Sequence, residues 1–445
     1  MAPPTAIETI TAPVAKLSIK GGDAASDLDK TKAEASRNAS DLVEKYVFYH
    51  DGDHAPFDIP EAHVNISGPS PYADLPNEGS SVLESFEPIQ KTGALDKNYK
   101  YVEVTPLLGR EYRNAKVTDI LKDDDLLQDL AVTIAERGVV FFRNQRNISV
   151  EEQKRLSLAL GAKAGNPKSS KLHIHPTALA GGLLKDDGKI DPEVTLLNSR
   201  LRNKLYSKQR GVKWSKGSDT VFHSDITFEP VPAGFSMLRI IETPSGDGSD
   251  EDWSSGGGPV GGAGGDTLWA NGYALAEKIS PSFLSYLETL RGEFYQPIFK
   301  DATSELHVPL YTAERGAPEN VGDEQIAVHP LIRTNPTTGW KSVFAIGSHF
   351  YRVIGVTQEE SDLIKKYLND LLYQSPEVQL RFKWNSNDLA IWDNRSTYHS
   401  AITDLGALNG NVEVRTGLRT LSTAERPFFS PNSKTQTQAL RERLA

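Results

Sequence analysis

The chain of 445 residues is 38% hydrophobic, carries a formal net charge of −10 and contains no cysteine. That length admits a sizeable core, as one large β-architecture or two to three smaller domains. The acidic balance and the absence of any Lys/Arg-rich run speak against a nucleic-acid or anionic-membrane surface. Without cysteine there are no disulfides, thiolate ligands or cysteine nucleophiles, so any metal must be held by His, Asp or Glu. The first twenty residues lack a continuous apolar segment, and no run of about 18 apolar residues occurs. The expectation is a cytoplasmic protein with a small-molecule partner; homo-oligomer formation is left open.

Residues 1–95, rich in Pro, Ser, Ala, Asp and Gly, read as an N-terminal tail and irregular arm, 96–430 as the main domain and 431–445 as a C-terminal tail. "DDDLLQDLAVTIAERG" has an acidic start, an apolar line through Leu126, Leu127, Leu130 and Ile134, and Gly138 as a stop, which predicts a helix feeding the buried strand "VVFFRNQ". Ser149 with Glu152 is a capping-box pattern for a second helix, and Ser280-Pro281 opens a third. Thr357 with Glu360 opens a fourth, with Leu363, Ile364, Tyr367, Leu368 and Leu371 as its apolar positions. Strands are expected at 236–242, 341–346, 378–384 (Val378, Leu380, Phe382 and Trp384 alternating), 388–393 and 412–421. Residues 244–265 are a Gly/Ser/acidic insertion without a core pattern. Strands separated by irregular loops, with helices mostly outside, favour a mainly β sandwich or barrel over a βαβ repeat.

His223 and Asp225 stand two apart in a strand-like run, a spacing that points an imidazole and a carboxylate the same way. Two polar residues on a wet strand face would give the same pattern; a metal site needs a third ligand. Downstream, His399 follows a buried strand, and Arg415 and Arg419 lie four apart in an apolar-patterned strand, one face and roughly 13 Å between them. Surface ion pairs are the ordinary use of such arginines, but an unpaired buried charge in that strand would be costly, so two anions are implied. His173, His329 and His349 read as structural histidines, Trp269, Trp340, Trp384 and Trp392 as core, and "GGDT" is no phosphate loop.

Through "LHIHP", "FHSDITFEP", "GGDTLWANGY", "HPLIRTNPTTGW", "NDLAIWDNRSTYH" and "RTGLR", in that order over roughly residues 100 to 425, the sequence resembles the Fe(II)- and 2-oxoglutarate-dependent dioxygenases of the taurine dioxygenase family, fungal members especially. The resemblance implies a double-stranded β-helix (jelly roll) with His223, Asp225 and His399 as iron ligands. It implies Thr267 and Arg415 on the distal carboxylate of 2-oxoglutarate, with Arg419 and His175 on the anionic group of the substrate and Phe228 as an aromatic wall. Fe(II), 2-oxoglutarate and O₂ would oxidise a C–H bond, 2-oxoglutarate leaving as succinate; on a sulfonate the product releases sulfite. Phe222 and Asp219 stand where taurine dioxygenase has Trp and Asn, and an acid at 219 suits a substrate ammonium. Two enzymatic readings follow, oxidation of a sulfonate or similar small anion, and hydroxylation, desaturation or cyclisation of an amino acid; a non-catalytic jelly-roll binding protein is a third.

Overall fold

The computed structural model describes residues 81, 83, 85–199, 222–243, 265–402 and 415–444, with the backbone of short strands at Tyr46–Phe48, Ala407–Leu408 and Asn411–Val412. All of them belong to one compact unit, Lys45–Ala445. Asp219 and the 244–264 insertion lie outside the described residues.

The largest sheet has seven strands. They are β1 (Tyr101–Glu103), β2 (Arg110–Tyr112), β3 (Val139–Phe142), β4 (Thr195–Asn198), β5 (Ala233–Glu242), β8 (Leu389–Asp393) and β10 (Thr416–Thr423), ordered β1-β2-β3-β8-β5-β10-β4. Facing it is a three-stranded sheet of β6 (Thr267–Asn271), β7 (Gln379–Phe382) and β9 (Thr397–Ala401), ordered β7-β6-β9. The two-residue side-chain period divides the central strands cleanly. Val139, Phe141, Leu238, Ile240, Ala390 and Trp392 pack inward with Trp269, Leu380, Phe382 and Trp384, filling the space between the sheets. Val140, Phe142, Phe235, Met237, Leu389 and Ile391 point the other way.

That outer face is covered by α1 (Asp124–Arg137) and α2 (Val150–Lys163), through Leu126, Leu127, Leu130, Ile134, Leu156 and Leu160. Both begin where capping chemistry allows: the Asp123 carboxylate accepts from the amides of Asp125 and Leu126, and Ser149 with Glu152 closes a reciprocal capping box. Gly138 ends α1 at φ 73°. Pro281–Leu287 and α3 (Gln358–Tyr373, capped by Thr357 and Glu360) form as expected, on the far side of the small sheet.

The buried line of α3 is Ser361, Ile364, Leu368 and Leu372, with Leu371 packed beside it. Leu363 is 69% exposed and Tyr367 37%. The five apolar positions span more of the helix circumference than its single contact face, so two of them lie in water. The run 412–421 is also shifted: its long strand is β10, and Arg415 stands just ahead of it.

Helix Ala94–Asn98 sits against α1, where the Asp129 carboxylate accepts from the amides of Thr92 and Leu95. Strand Tyr46–Phe48 pairs antiparallel with Gly181–Leu183, and helix Gln436–Leu444 closes the described chain. No helix among the described residues is long and apolar enough to cross a membrane.

Candidate metal and cosubstrate site

His223 and His399 are locked to each other by their own backbones, forming an isolated antiparallel bridge with N–H···O distances of 3.0 Å and 2.8 Å in the two directions. Their rings are thereby held with centroids 4.3 Å apart. Asp225 does not continue a strand. The chain turns over residues 225–228, with Ile226 at φ 48°, a conformation that is strained for a β-branched residue and is tolerated where the surroundings over-determine it. The turn serves the same end as strand alternation: Asp225 Oδ1 lies 3.9 Å from His223 Nε2 and 3.8 Å from His399 Nε2. One ligand atom from each of the three residues falls within 4.8 Å of the others.

The carboxylate is oriented by residues that sequence reasoning passed over. Ser236 donates to Asp225 Oδ2 at 2.6 Å, and the Asp225 amide donates to Asn394 Oδ1 at 3.0 Å. Asn394 Nδ2 in turn donates to Ser236 Oγ at 2.8 Å. That leaves Oδ1 to face the two imidazoles, where it also accepts from Arg419 Nη1 at 2.6 Å. Burial alone would raise the Asp225 pKa; the Arg419 charge, the two histidines and the Ser236 hydrogen bond outweigh it and hold the group ionised, well below the usual carboxylate range. Burial and the neighbouring His223 lower His399 to about 3, which keeps it neutral. Two neutral-capable imidazoles and one carboxylate, with no thiolate, are the donor set of non-haem Fe(II) sites, so the residues present fit that ion.

Gly347 presses on the first of these histidines. It has φ 104°, and a Cβ there would meet the Phe222 carbonyl oxygen at 2.5 Å and His223 Cα at 2.9 Å. Only glycine satisfies both the backbone angle and the approach.

Thr267 and Arg415 come together at the start of β6, two positions from the Trp269 that pairs with His399, with Arg415 Nη2 donating to Thr267 Oγ1 at 3.3 Å. Trp384 Nε1 donates to the same hydroxyl at 2.9 Å, and its ring centroid lies 5.8 Å from Arg415 Cζ. Its place in the alternating strand run indicated only core packing.

His175 is anchored by Thr177, whose amide donates to Nδ1 at 3.2 Å. Its ring lies tilted against Phe299 (4.7 Å between centroids), which packs edge-on to Phe228 (5.5 Å). Phe228 is buried and packs with Ile226, Ala233 and Leu421. His173 is structural: its Nε2 meets Glu229 Oε1 at 3.4 Å, and Arg315 grips the same carboxylate at 2.5 Å and 2.9 Å. His329 is a core histidine whose Nε2 pairs with the carbonyls of Thr227 and Glu229.

Glu229 offers a pH test of the turn that carries Asp225. Burial would raise its pKa, but Arg315 and His173 bring it down to about 2. A carboxylate lowered on folding contributes stability that is complete above the unfolded pKa of about 4.3 and fades as pH falls through the folded value. Arg315→Met strands that charge and is expected to cost about 3–5 kcal/mol at pH 7. The gap from wild type should narrow as pH falls toward about 2, because the stranded carboxylate of the variant protonates first and wild-type Glu229 follows only near its folded value. Urea unfolding of the two proteins across that range measures it, and a pH-independent gap would remove Glu229 from the account.

The two facing sheets with a His/Asp/His cluster at one mouth define a jelly-roll protein of the non-haem iron class. Residues 100–415 match the family described as taurine catabolism dioxygenase TauD, TfdA family, and the chain belongs to it. It is 37% identical to the alpha-ketoglutarate-dependent dioxygenase btcD of Neocamarosporium betae, over 79% of this chain and 98% of that one. It is 26% identical to the alpha-ketoglutarate-dependent sulfonate dioxygenase of Saccharomyces cerevisiae, over 68% of this chain and 63% of the relative. A crystal structure of a taurine dioxygenase from Burkholderia xenovorans shares the fold, with TM-score 0.52 and 24% identity over 76% of this chain and 92% of that one. The protein is an Fe(II)- and 2-oxoglutarate-dependent dioxygenase that uses O₂. Nothing among these relatives supports a non-catalytic binding protein.

Proposed function

We propose that His223, Asp225 and His399 hold the iron, that Arg415 and Thr267 hold the distal carboxylate of 2-oxoglutarate, and that Arg419 with His175 receives the anion of a small primary substrate, a sulfonate in the first instance. The observation that carries this reading is the single 2.6 Å contact from Arg419 to Asp225 Oδ1, the oxygen turned toward the two imidazoles, which sets a cation directly beside the triad. Bound iron with 2-oxoglutarate and O₂ supplies the oxidising power that breaks a C–H bond, 2-oxoglutarate being decarboxylated to succinate. The chain's own part is placement: the backbone bridge spaces the imidazoles, Ser236 and Asn394 aim the carboxylate, and the aromatic packing of Phe228 and Phe299 keeps water from the carbon to be oxidised.

A second reading keeps the chemistry and exchanges the substrate for an amino acid. It is favoured by the higher identity to a dioxygenase whose name mentions no sulfonate than to one named for sulfonates, and by an acid at Asp219, four residues before His223. Anaerobic titration of the Fe(II)/2-oxoglutarate complex with alkanesulfonates and aliphatic amino acids separates the two, through the shift of the metal-to-ligand absorption band. Arg419→Ala should weaken whichever class binds while leaving 2-oxoglutarate bound. Asp219→Asn should cost an amino acid about 1–3 kcal/mol through loss of a charged hydrogen bond, and leave a sulfonate lacking an amine unharmed. Loss of 2-oxoglutarate in Arg419→Ala would mean that the two anion sites are exchanged.

A further inference from the structure

His349 is read from the sequence as a structural histidine, yet it stands at the wall of the site. It lies between Trp340–Val343 and Phe350–Ile354, two residues beyond Gly347, with its ring centroid 5.9 Å from that of His223 and 5.1 Å from that of Phe228. Phe228 leads to Phe299 and Phe299 to His175. The two histidines therefore flank a pair of phenylalanines in one arc beside the triad.

Proton bookkeeping at His349 decides what its outer nitrogen can do. Nδ1 meets Thr227 Oγ1 at 3.0 Å. Thr227 is 2% exposed, and its hydroxyl has no other partner among the described residues. If Nδ1 kept a proton, the hydroxyl hydrogen would be buried without an acceptor, a costly arrangement. The hydroxyl therefore donates to Nδ1, and in the neutral ring the hydrogen sits on Nε2. His175 reaches the same tautomer independently, because the Thr177 amide donates to its Nδ1. Nε2 of His349 meets no acceptor among the described residues, although the residue is 7% exposed. The residue is nearly buried, but this nitrogen is not sealed from solvent, so it is a donor at the wall of the triad that a ligand in the site can meet.

We propose that His349 is a specificity-determining residue whose Nε2–H donates a hydrogen bond to a second acceptor on the primary substrate, separate from the anion met by Arg419 and His175. The substrate class is a bifunctional small acid, with an anion at one end and a carboxylate, carbonyl or hydroxyl oxygen at the other. This rests on the anion site assigned under the proposed function and adds the second pole.

The test is anaerobic calorimetry on the enzyme loaded with Fe(II) and 2-oxoglutarate, with short alkane-1-sulfonates and alkanoates as probes, each paired with its homologue bearing a terminal carboxylate or hydroxyl. In the wild type at least one acceptor-bearing probe should bind about tenfold more tightly than its plain homologue, as one added hydrogen bond of about 1.4 kcal/mol allows. His349→Phe should erase that ratio and His349→Gln, which keeps a donor, should retain part of it. Should the phenylalanine variant fail to fold, Thr227→Val serves in its place, because it removes the hydroxyl that fixes the tautomer, and the ratio should shrink. A ratio absent from the wild type, or unchanged in these variants, overturns the assignment. The anion site is judged separately: plain probes that bind wild type and Arg419→Ala equally would remove it without touching the ratio.

Discussion

Replacing His223 with alanine will abolish stoichiometric Fe(II) binding and, with it, all 2-oxoglutarate turnover, while the β-core stays folded. Its side chain is 29% exposed, against 4% for Asp225 and 9% for His399, so its removal opens the rim of the site rather than the interior. Asp225 is a poorer choice. Its carboxylate neutralises Arg419, and Asp225→Ala would leave that guanidinium buried without its partner, a loss of about 3–5 kcal/mol that confounds metal loss with unfolding. Anaerobic equilibrium dialysis with Fe(II), paired with far-UV circular dichroism, measures the expected result. Wild-type iron affinity in His223→Ala would refute the ligand set.

Arg415→Ala should raise the dissociation constant for 2-oxoglutarate by an amount corresponding to about 2–5 kcal/mol, the usual loss when one partner of a buried charged pair is truncated. Thr267 remains, but a hydroxyl cannot replace the two parallel N–H bonds that a guanidinium offers a carboxylate. Lysine should recover only part, since it restores charge and not the fork. Trp384 makes the demand stricter, because it bonds to the same hydroxyl and its ring lies 5.8 Å from Arg415 Cζ, holding the site to the position arginine occupies. Titration of 2-oxoglutarate at saturating Fe(II) decides the matter, and an unchanged affinity would make Arg415 a structural arginine.

The parts of the site that were legible in the sequence are those written in local spacing. The capping boxes at Ser149 and Thr357, the alternation of Leu380, Phe382 and Trp384, and the pairing of His223 with Asp225 all depend on neighbours a few residues away; Val378, expected in the same line, instead ends a short 3-10 turn and packs elsewhere. What was illegible is held through space. Ser236 and Asn394 reach Asp225 from two other segments, and no pattern around "SMLRIIE" or "DNRS" marks them as its supports. His349 carried no signal beyond its letter, because its meaning comes from Thr227, 122 positions away. Periodicity misled on α3 for a related reason: it shows that residues are apolar and on a helix, but not how wide a face the neighbouring elements will cover.

The bridge between His223 and His399 also bears on how the enzyme comes to exist. Contacts such as Arg419 to Asp225 join residues 194 apart, so the cluster is assembled from distant parts of the chain, and an unfolded polypeptide does not hold its three donors together. Chains with distant pairings pay loop-closure entropy before those contacts reward them, which delays their assembly. With the proposed ligand set, iron would bind the folded protein in preference to the unfolded chain, and by mass action each tenfold excess of metal over its dissociation constant would then add about 1.4 kcal/mol to folding stability. Metal supply and the lifetime of the folded chain are coupled quantities: starved of iron, the enzyme is short of more than its catalyst.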